Sequence, residues 1–157
     1  MTGFPGLETG FDGSALFTPE LCRETLMGLY AQGARDLFVM VEPDELDEVG
    51  FQLLETTASE VGMSIIYYPI PDYSVPSEEL TTAWMARRPE REALLRGNGT
   101  IAFSCQYGAG RSGLMACWTL MEAGLSADEA ISLARTHFSE AVESGSQKAW
   151  LHALVTG

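Results

Sequence analysis

The chain has 157 residues, 46% of them apolar, which suits a single domain with one shared core and excludes a disordered or fibrous protein. Nine Lys and Arg against 22 Asp and Glu leave a net charge of −13, which argues against nucleic acid or an anionic membrane as a partner but leaves room for a small anionic ligand in a locally positive pocket. No run approaches the ~18 apolar residues of a membrane span, and no Lys or Arg precedes Arg23 as it would in a secretory signal, so the expected location is the cytosol.

Residues 1–17 are rich in Gly and Phe without a clear period and read as an irregular lead-in with room for a short strand. Thr18-Pro19-Glu20 starts a helix, with a hydroxyl at the N-cap, proline at the first helical position and an acid in the first turn. That helix runs to about Gln32, with Gly33 as its stop. Asp36–Val41 is a short apolar run of the kind a buried strand carries. A helix over about Phe51–Glu60, stopped by Gly62, leads to a second buried strand at Met63–Tyr68, ended by Pro69-Ile70-Pro71. Ser77-Glu78-Glu79 caps the next helix, to about Arg87; Pro89 interrupts it before a further turn or two to Arg96. After the Gly97-Asn98-Gly99 turn, Thr100–Ser104 is the third buried strand. Helices follow over about Arg111–Ala123, stopped by Gly124, then from a capping box at Ser126–Glu129 to about His137, and from Gly145–Gln147 to about Val155. Apolar strands alternating with amphipathic helices predict one α/β domain over 1–157, with a mostly parallel central sheet flanked by helices. Ligands of such sheets sit at the carboxyl ends of the strands.

One such end carries Ser104-Cys105-Gln106-Tyr107-Gly108-Ala109-Gly110-Arg111-Ser112-Gly113. Glycines at 108 and 110 let the backbone curl so that successive N–H groups point inward. The helix that starts at Arg111 aims its positive end at the same point. The segment from Gln106 through Tyr107, Gly108, Ala109 and Gly110 thereby forms an anion cradle, on which Arg111 can close a two-pronged grip. Cys105 sits at its base. The field that binds an anion also stabilises a thiolate, so a depressed pKa and nucleophilic attack on a bound phosphoryl group are expected. Ser112 is placed to donate a hydrogen bond to the sulfur when it leaves. The three cysteines are Cys22, Cys105 and Cys117, an odd number without Cys-x-x-Cys spacing, and His137 and His152 lie far from them. Neither a disulfide scaffold nor a zinc site is expected.

Cys-x5-Arg-Ser with glycines at these places resembles the signature of the cysteine-dependent protein tyrosine phosphatase superfamily, in its small dual-specificity branch. Pro69-Ile70-Pro71-Asp72-Tyr73-Ser74-Val75-Pro76 resembles that branch's acid loop, and Glu143-Ser144-Gly145-Ser146-Gln147 its late Glu-Thr-x-x-Gln segment. The likeness spans residues 36–155. It implies the family's three-layer α/β/α fold and a two-step hydrolysis of phosphotyrosine, with phosphoserine or phosphothreonine as further substrates, and no metal or cofactor. Cys105 attacks phosphorus while Asp72 protonates the leaving oxygen; Asp72 then activates the water that cleaves the phosphocysteine. Asp72 alone, in a Pro-Asp turn, would read as a turn residue; beside Cys105 and between two prolines it reads as the acid. Tyr73 and Tyr107 flank the site as candidate walls for an aromatic substrate, and Gln147 is a candidate for positioning the water, or an exposed first-turn glutamine.

Two departures stand out. Ser104 replaces the family's usual histidine, so a catalytically weak phosphate-binding module is one alternative. Phe138 stands where some relatives carry the second arginine of Arg-x-x-Arg, whose first matches Arg135. A second alternative keeps the site and changes the substrate to an inositol phosphate or another small phosphoester. Arg87, Arg88, Arg91 and Arg96 would form its contact rim unless, with Glu90 and Glu92 interleaved, they make a solvated helix face. A sulfurtransferase or arsenate reductase also holds a cysteine in an anion loop, but leaves Asp72 in its proline frame unexplained.

Overall fold

A computed structural model describes residues 1–154. Its elements in chain order are β1 (Leu7–Thr9), β2 (Ala15–Phe17), α1 (Pro19–Ala31), β3 (Ala34–Val39), α2 (Glu48–Val61), β4 (Ser64–Tyr67), α3 (Glu78–Ala86), α4 (Arg88–Arg96), β5 (Thr100–Ser104), α5 (Gly110–Glu122), α6 (Ala127–His137) and α7 (Gly145–Ala153). Strands β4, β3 and β5 form a parallel sheet in that order. Thr2 adds a parallel bridge to Ser104 on the free side of β5. β1 and β2 pair as a separate antiparallel hairpin, Leu7 opposite Phe17.

The central strand explains the layering. Side chains alternate across a strand. Leu37, Val39 and Val41 pack into one core with Leu26 of α1 and Leu54 and Ala58 of α2. Phe38 and Met40 pack into the other, with Trp84 of α3, Leu114 and Trp118 of α5, Ile131 of α6 and Leu151 of α7. Both faces are covered, so the strands read as continuous apolar runs rather than as alternation. This is the expected α/β fold with a parallel sheet between helices.

Three local expectations are corrected. The lead-in is ordered: besides the hairpin, Thr2 N–H donates to Phe103 O (2.9 Å) and Phe4 N–H to Gln106 O (3.1 Å). Helix α2 starts three residues earlier than its apolar pattern, because Asp47 Oδ1 accepts the Gly50 N–H (3.0 Å) as an N-cap. Pro89 opens a helix rather than interrupting one; it lies in the first turn of α4, where its missing N–H costs nothing. Helix α7 ends at Ala153, and Val155, the expected end, lies outside the described residues.

Because the three strands run parallel, their carboxyl ends open at one edge. The loops that leave them there, 40–47, 68–77 and 105–109, carry Glu45, Asp72 and Cys105 respectively. Among the described residues no helix is long and apolar enough to cross a membrane.

Candidate active site

Cys105 is 3% exposed. Its Sγ accepts the Gly108 N–H at 3.2 Å and lies 3.4 Å from Ser112 Oγ. The loop bends back far enough to aim an amide at the sulfur because Gly108 has φ +97°, a region that favours glycine. A Cβ at Gly108 would lie 2.5 Å from Gly3 N and 2.6 Å from Thr2 C. The N-terminal segment is thus laid directly against the curl. Ser104, fully buried, donates from its Oγ to Gly3 O (3.1 Å). This serine ties the loop's entry to that segment. Gly110 and Arg111, the first two residues of α5, line the same cleft.

Arg111 is 2% exposed and spans all three loops. Its two terminal nitrogens pair with the two carboxylate oxygens of Glu45, Nη2 to Oε2 at 2.7 Å. Nη1 also lies 3.0 Å from Ile70 O, and Nη2 lies 3.4 Å from Asp72 Oδ1. Burial works against the charge, but Glu45, Cys105 and Asp72 outweigh it and hold the guanidinium pKa above its ordinary value. The fork that was expected to grip two ligand oxygens is therefore seated on Glu45. Sequence reasoning missed Glu45: it stands 66 residues from its partner, and an acid in a loop after a strand has no distinguishing signal.

Asp72, Tyr73, Cys105, Gln106, Tyr107, Gly110, Arg111 and Glu143 line one cleft of about 170 Å³. Asp72 has a half-exposed side chain. Tyr73 and Tyr107 are exposed at its two sides. The Tyr107 hydroxyl donates to Glu140 Oε2 (2.9 Å), and its ring packs edge-on against Phe138 at 5.6 Å. Ala109 is buried beneath, its carbonyl accepting the Gly113 and Val142 N–H groups. Gly110 leaves room for Glu143: a Cβ there would meet Glu143 Oε2 at 2.8 Å. Glu143 thus brings a second carboxylate into the cleft. It stands in the late segment that the resemblance picked out, which was the available signal.

Gln147 is neither exposed nor in the cleft lining. Fully buried, its Oε1 accepts from the N–H groups of Glu143 (3.0 Å) and Ser144 (3.2 Å), and its Nε2 donates to Ser74 O (3.1 Å). It joins α7 to the acid loop. Arg135 donates to the carbonyls of Ala141 and Val142, which fixes the loop ahead of α7.

None of the arginines between the acid loop and β5 lines this cleft. Arg91 is buried, pairs with Glu122 through both carboxylate oxygens (2.6 and 3.2 Å) and covers the Trp84 ring at 3.6 Å. Arg87 pairs with Glu90, and Arg88 and Arg96 with Glu92. The contact-rim reading is overturned, because these cations fasten α4 to itself and to α5. Cys117, buried in α5, has its thiol pKa pushed up to about 11 by burial. Cys22 is buried and shifted in the same direction for the same reason.

A strand, a curl that aims the Gly108 amide at the Cys105 sulfur, and a helix that brings in Arg111 meet at one cleft. No protein-family model and no curated protein matches the sequence. Solved structures do match the fold. Kinase-associated phosphatase, with its catalytic-site cysteine substituted by serine, is 22% identical with a TM-score of 0.72, over 96% of this chain and 81% of that one. The tyrosine phosphatase Tk-PTP in its active form is 25% identical with a TM-score of 0.66, over 97% and 99%. A glycine-to-alanine mutant form of Tk-PTP is 29% identical with a TM-score of 0.63, over 82% and 81%. The likeness is one of fold, shared with cysteine-based tyrosine phosphatases.

Proposed function

We propose that this chain is a phosphatase that hydrolyses phosphotyrosine in proteins, and phosphoserine or phosphothreonine as secondary substrates, through a phosphocysteine. The observation that carries the reading is the Cys105 sulfur meeting the Gly108 amide and the Ser112 hydroxyl in the same cleft as Arg111 and Asp72. In the first step the Cys105 sulfur forms a bond to phosphorus as the P–O ester bond breaks. Asp72 gives its proton to the departing oxygen. In the second step water gives a proton back to Asp72 and bonds to phosphorus while the S–P bond breaks. Ser112 donates to the leaving sulfur, and inorganic phosphate is released. Arg111 and the amides of the curl stabilise the charge on the transferring group, so this chain's own groups supply the positive field. Glu45 holds Arg111 in place from behind.

The rim supports a substrate of modest charge. Glu143 lines the cleft, Glu140 is attached to Tyr107, and the candidate basic rim is engaged elsewhere. A polyphosphorylated inositol would meet carboxylates where it needs cations. Two exposed tyrosines at the sides suit an aryl phosphate.

The test is phosphate release from a phosphotyrosine peptide, p-nitrophenyl phosphate and an inositol polyphosphate, with and without orthovanadate. Release from the first two, blocked by orthovanadate and lost in Cys105→Ser and Arg111→Ala, is expected. Release from the inositol polyphosphate alone overturns the substrate, and no release from any overturns the enzyme in favour of a binding module.

A further inference from the structure

The acid loop has no regular structure between β4 and α3, and its backbone is held in a place that its own residues do not favour. Tyr73 has φ +55°, the left-handed region, which is unfavourable for a residue with a bulky side chain. Such a conformation persists only where the surroundings impose it. Here the imposing groups lie 71 and 73 residues away. Ser144 Oγ is 2.8 Å and Ser146 Oγ 2.9 Å from Tyr73 O, and the two hydroxyls are 2.8 Å apart. Two protons serve these three oxygen pairs, so either both donate to Tyr73 O or one relays through the other. The next carbonyl, Ser74 O, accepts from Gln147 Nε2.

The consequence reaches Asp72 through one peptide unit. The Tyr73 N–H donates to Asp72 Oδ1 (3.0 Å), the oxygen that also faces Arg111 Nη2 (3.4 Å). These contacts anchor Oδ1 and leave Oδ2 to carry a proton. If Tyr73 relaxes to an ordinary φ, the 72–73 peptide turns, its N–H leaves Oδ1, and the half-exposed carboxyl swings toward solvent.

We propose that the hydroxyls of Ser144 and Ser146 are positioning groups for the general acid: by clamping the Tyr73 carbonyl they hold Tyr73 in its left-handed conformation and Asp72 over the cleft. The inference rests on the phosphatase reading above. Ser146 is the more informative of the two. Ser144 also caps α7 by accepting the Gln147 N–H (3.1 Å), whereas Ser146, exposed in the first turn of α7, has no part in the cap.

A purely structural role and a positioning role differ in how the loss depends on the leaving group. p-Nitrophenolate departs readily without a proton, whereas phenolate needs one. With Ser146→Ala, kcat/KM is expected to fall about tenfold on phenyl phosphate and less than about twofold on p-nitrophenyl phosphate, because a small misplacement penalises the step that needs the acid. Ser146→Thr keeps the hydroxyl and should restore both, and Ser144→Ala/Ser146→Ala should exceed the single variant. Equal losses on the two substrates, or no loss on either, overturn the clamp while the phosphatase reading stands. If the unsubstituted chain hydrolyses neither substrate, the phosphatase reading falls, and the clamp with it.

Discussion

The nucleophile loop and the acid loop leave neighbouring parts of one sheet edge, yet they are held by different means. The curl after Cys105 exposes Gln106 and Tyr107 but buries Gly108 and Ala109, and it is clasped by main chain. The N-terminal segment lies against Gly108, Phe4 N–H reaches Gln106 O, and Ala109 O receives two amides. The acid loop enters through main-chain bonds at Tyr68 and Ile70, but its tip at 71–73 is exposed, and side chains from outside the loop hold that tip: two serine hydroxyls, one glutamine amide and an arginine whose charge also faces Cys105. A backbone clasp fixes atoms regardless of most side-chain changes but has no tolerance for added volume. A side-chain clasp leaves volume free and can be undone one atom at a time. The protein thus keeps its nucleophile in a rigid frame and its acid in an adjustable one.

The sharpest way to break this contrast is chemical. Cys105→Ser should lower phosphate release by about 10⁴-fold or more, since the proposed phosphocysteine forms on its sulfur. Asp72→Asn should lose only about 10²-fold on phenyl phosphate, and less on p-nitrophenyl phosphate. Initial rates on both substrates check the order, and equal losses for the two variants would erase the distinction between frame and adjuster.

The two positive-φ residues give the structural version. Gly108→Ala places a methyl against the backbone of Thr2 and Gly3 and should cost about 2–4 kcal/mol. Tyr73→Gly relieves an unfavourable φ while loosening the unfolded chain, so its stability should stay within about 1 kcal/mol of the original. Urea midpoints of the two variants decide it; a Gly108→Ala midpoint near that of Tyr73→Gly would show that the curl is not clasped as described.

The smallest effect separates two thiols on either side of the α5 N-terminus. Cys117 has a folded pKa of about 11, raised from 9.0 by burial, so the folded state retains a proton that the unfolded state loses between these values. Its contribution to stability is fully present below about pH 9 and is lost as pH rises through about 11. The urea midpoint should decline over that range, and less so in Cys117→Ala. Iodoacetamide near neutrality should modify Cys105 in the folded protein and leave Cys117 intact until it unfolds.

Much of this could be read in advance because it is local. The strand–curl–helix of 104–113 is one continuous stretch, and its glycines, cysteine, arginine and serine carry their chemistry in their spacing. The capping box at Ser126 and Glu129 is likewise contained in four residues, and both of its hydrogen bonds are present. Glu45 was invisible because its meaning lies in Arg111, and Gln147 was left between a water-positioning role and an exposed turn because an amide in a first helical turn says nothing of what covers it. The arginines at 87–96 likewise stood between a ligand rim and a solvated face until Glu122, from another helix, accounted for Arg91.

Read alone, then, the chain determined its fold class and its layers and singled out Cys105 as the candidate nucleophile, because apolar periodicity and a ten-residue loop are matters of short-range geometry. Only the folded molecule decided what holds Arg111, what bends Tyr73 and which carboxylates share the cleft. Those are contacts between residues tens of positions apart, and they come into being when a parallel sheet brings the ends of its strands to the same edge.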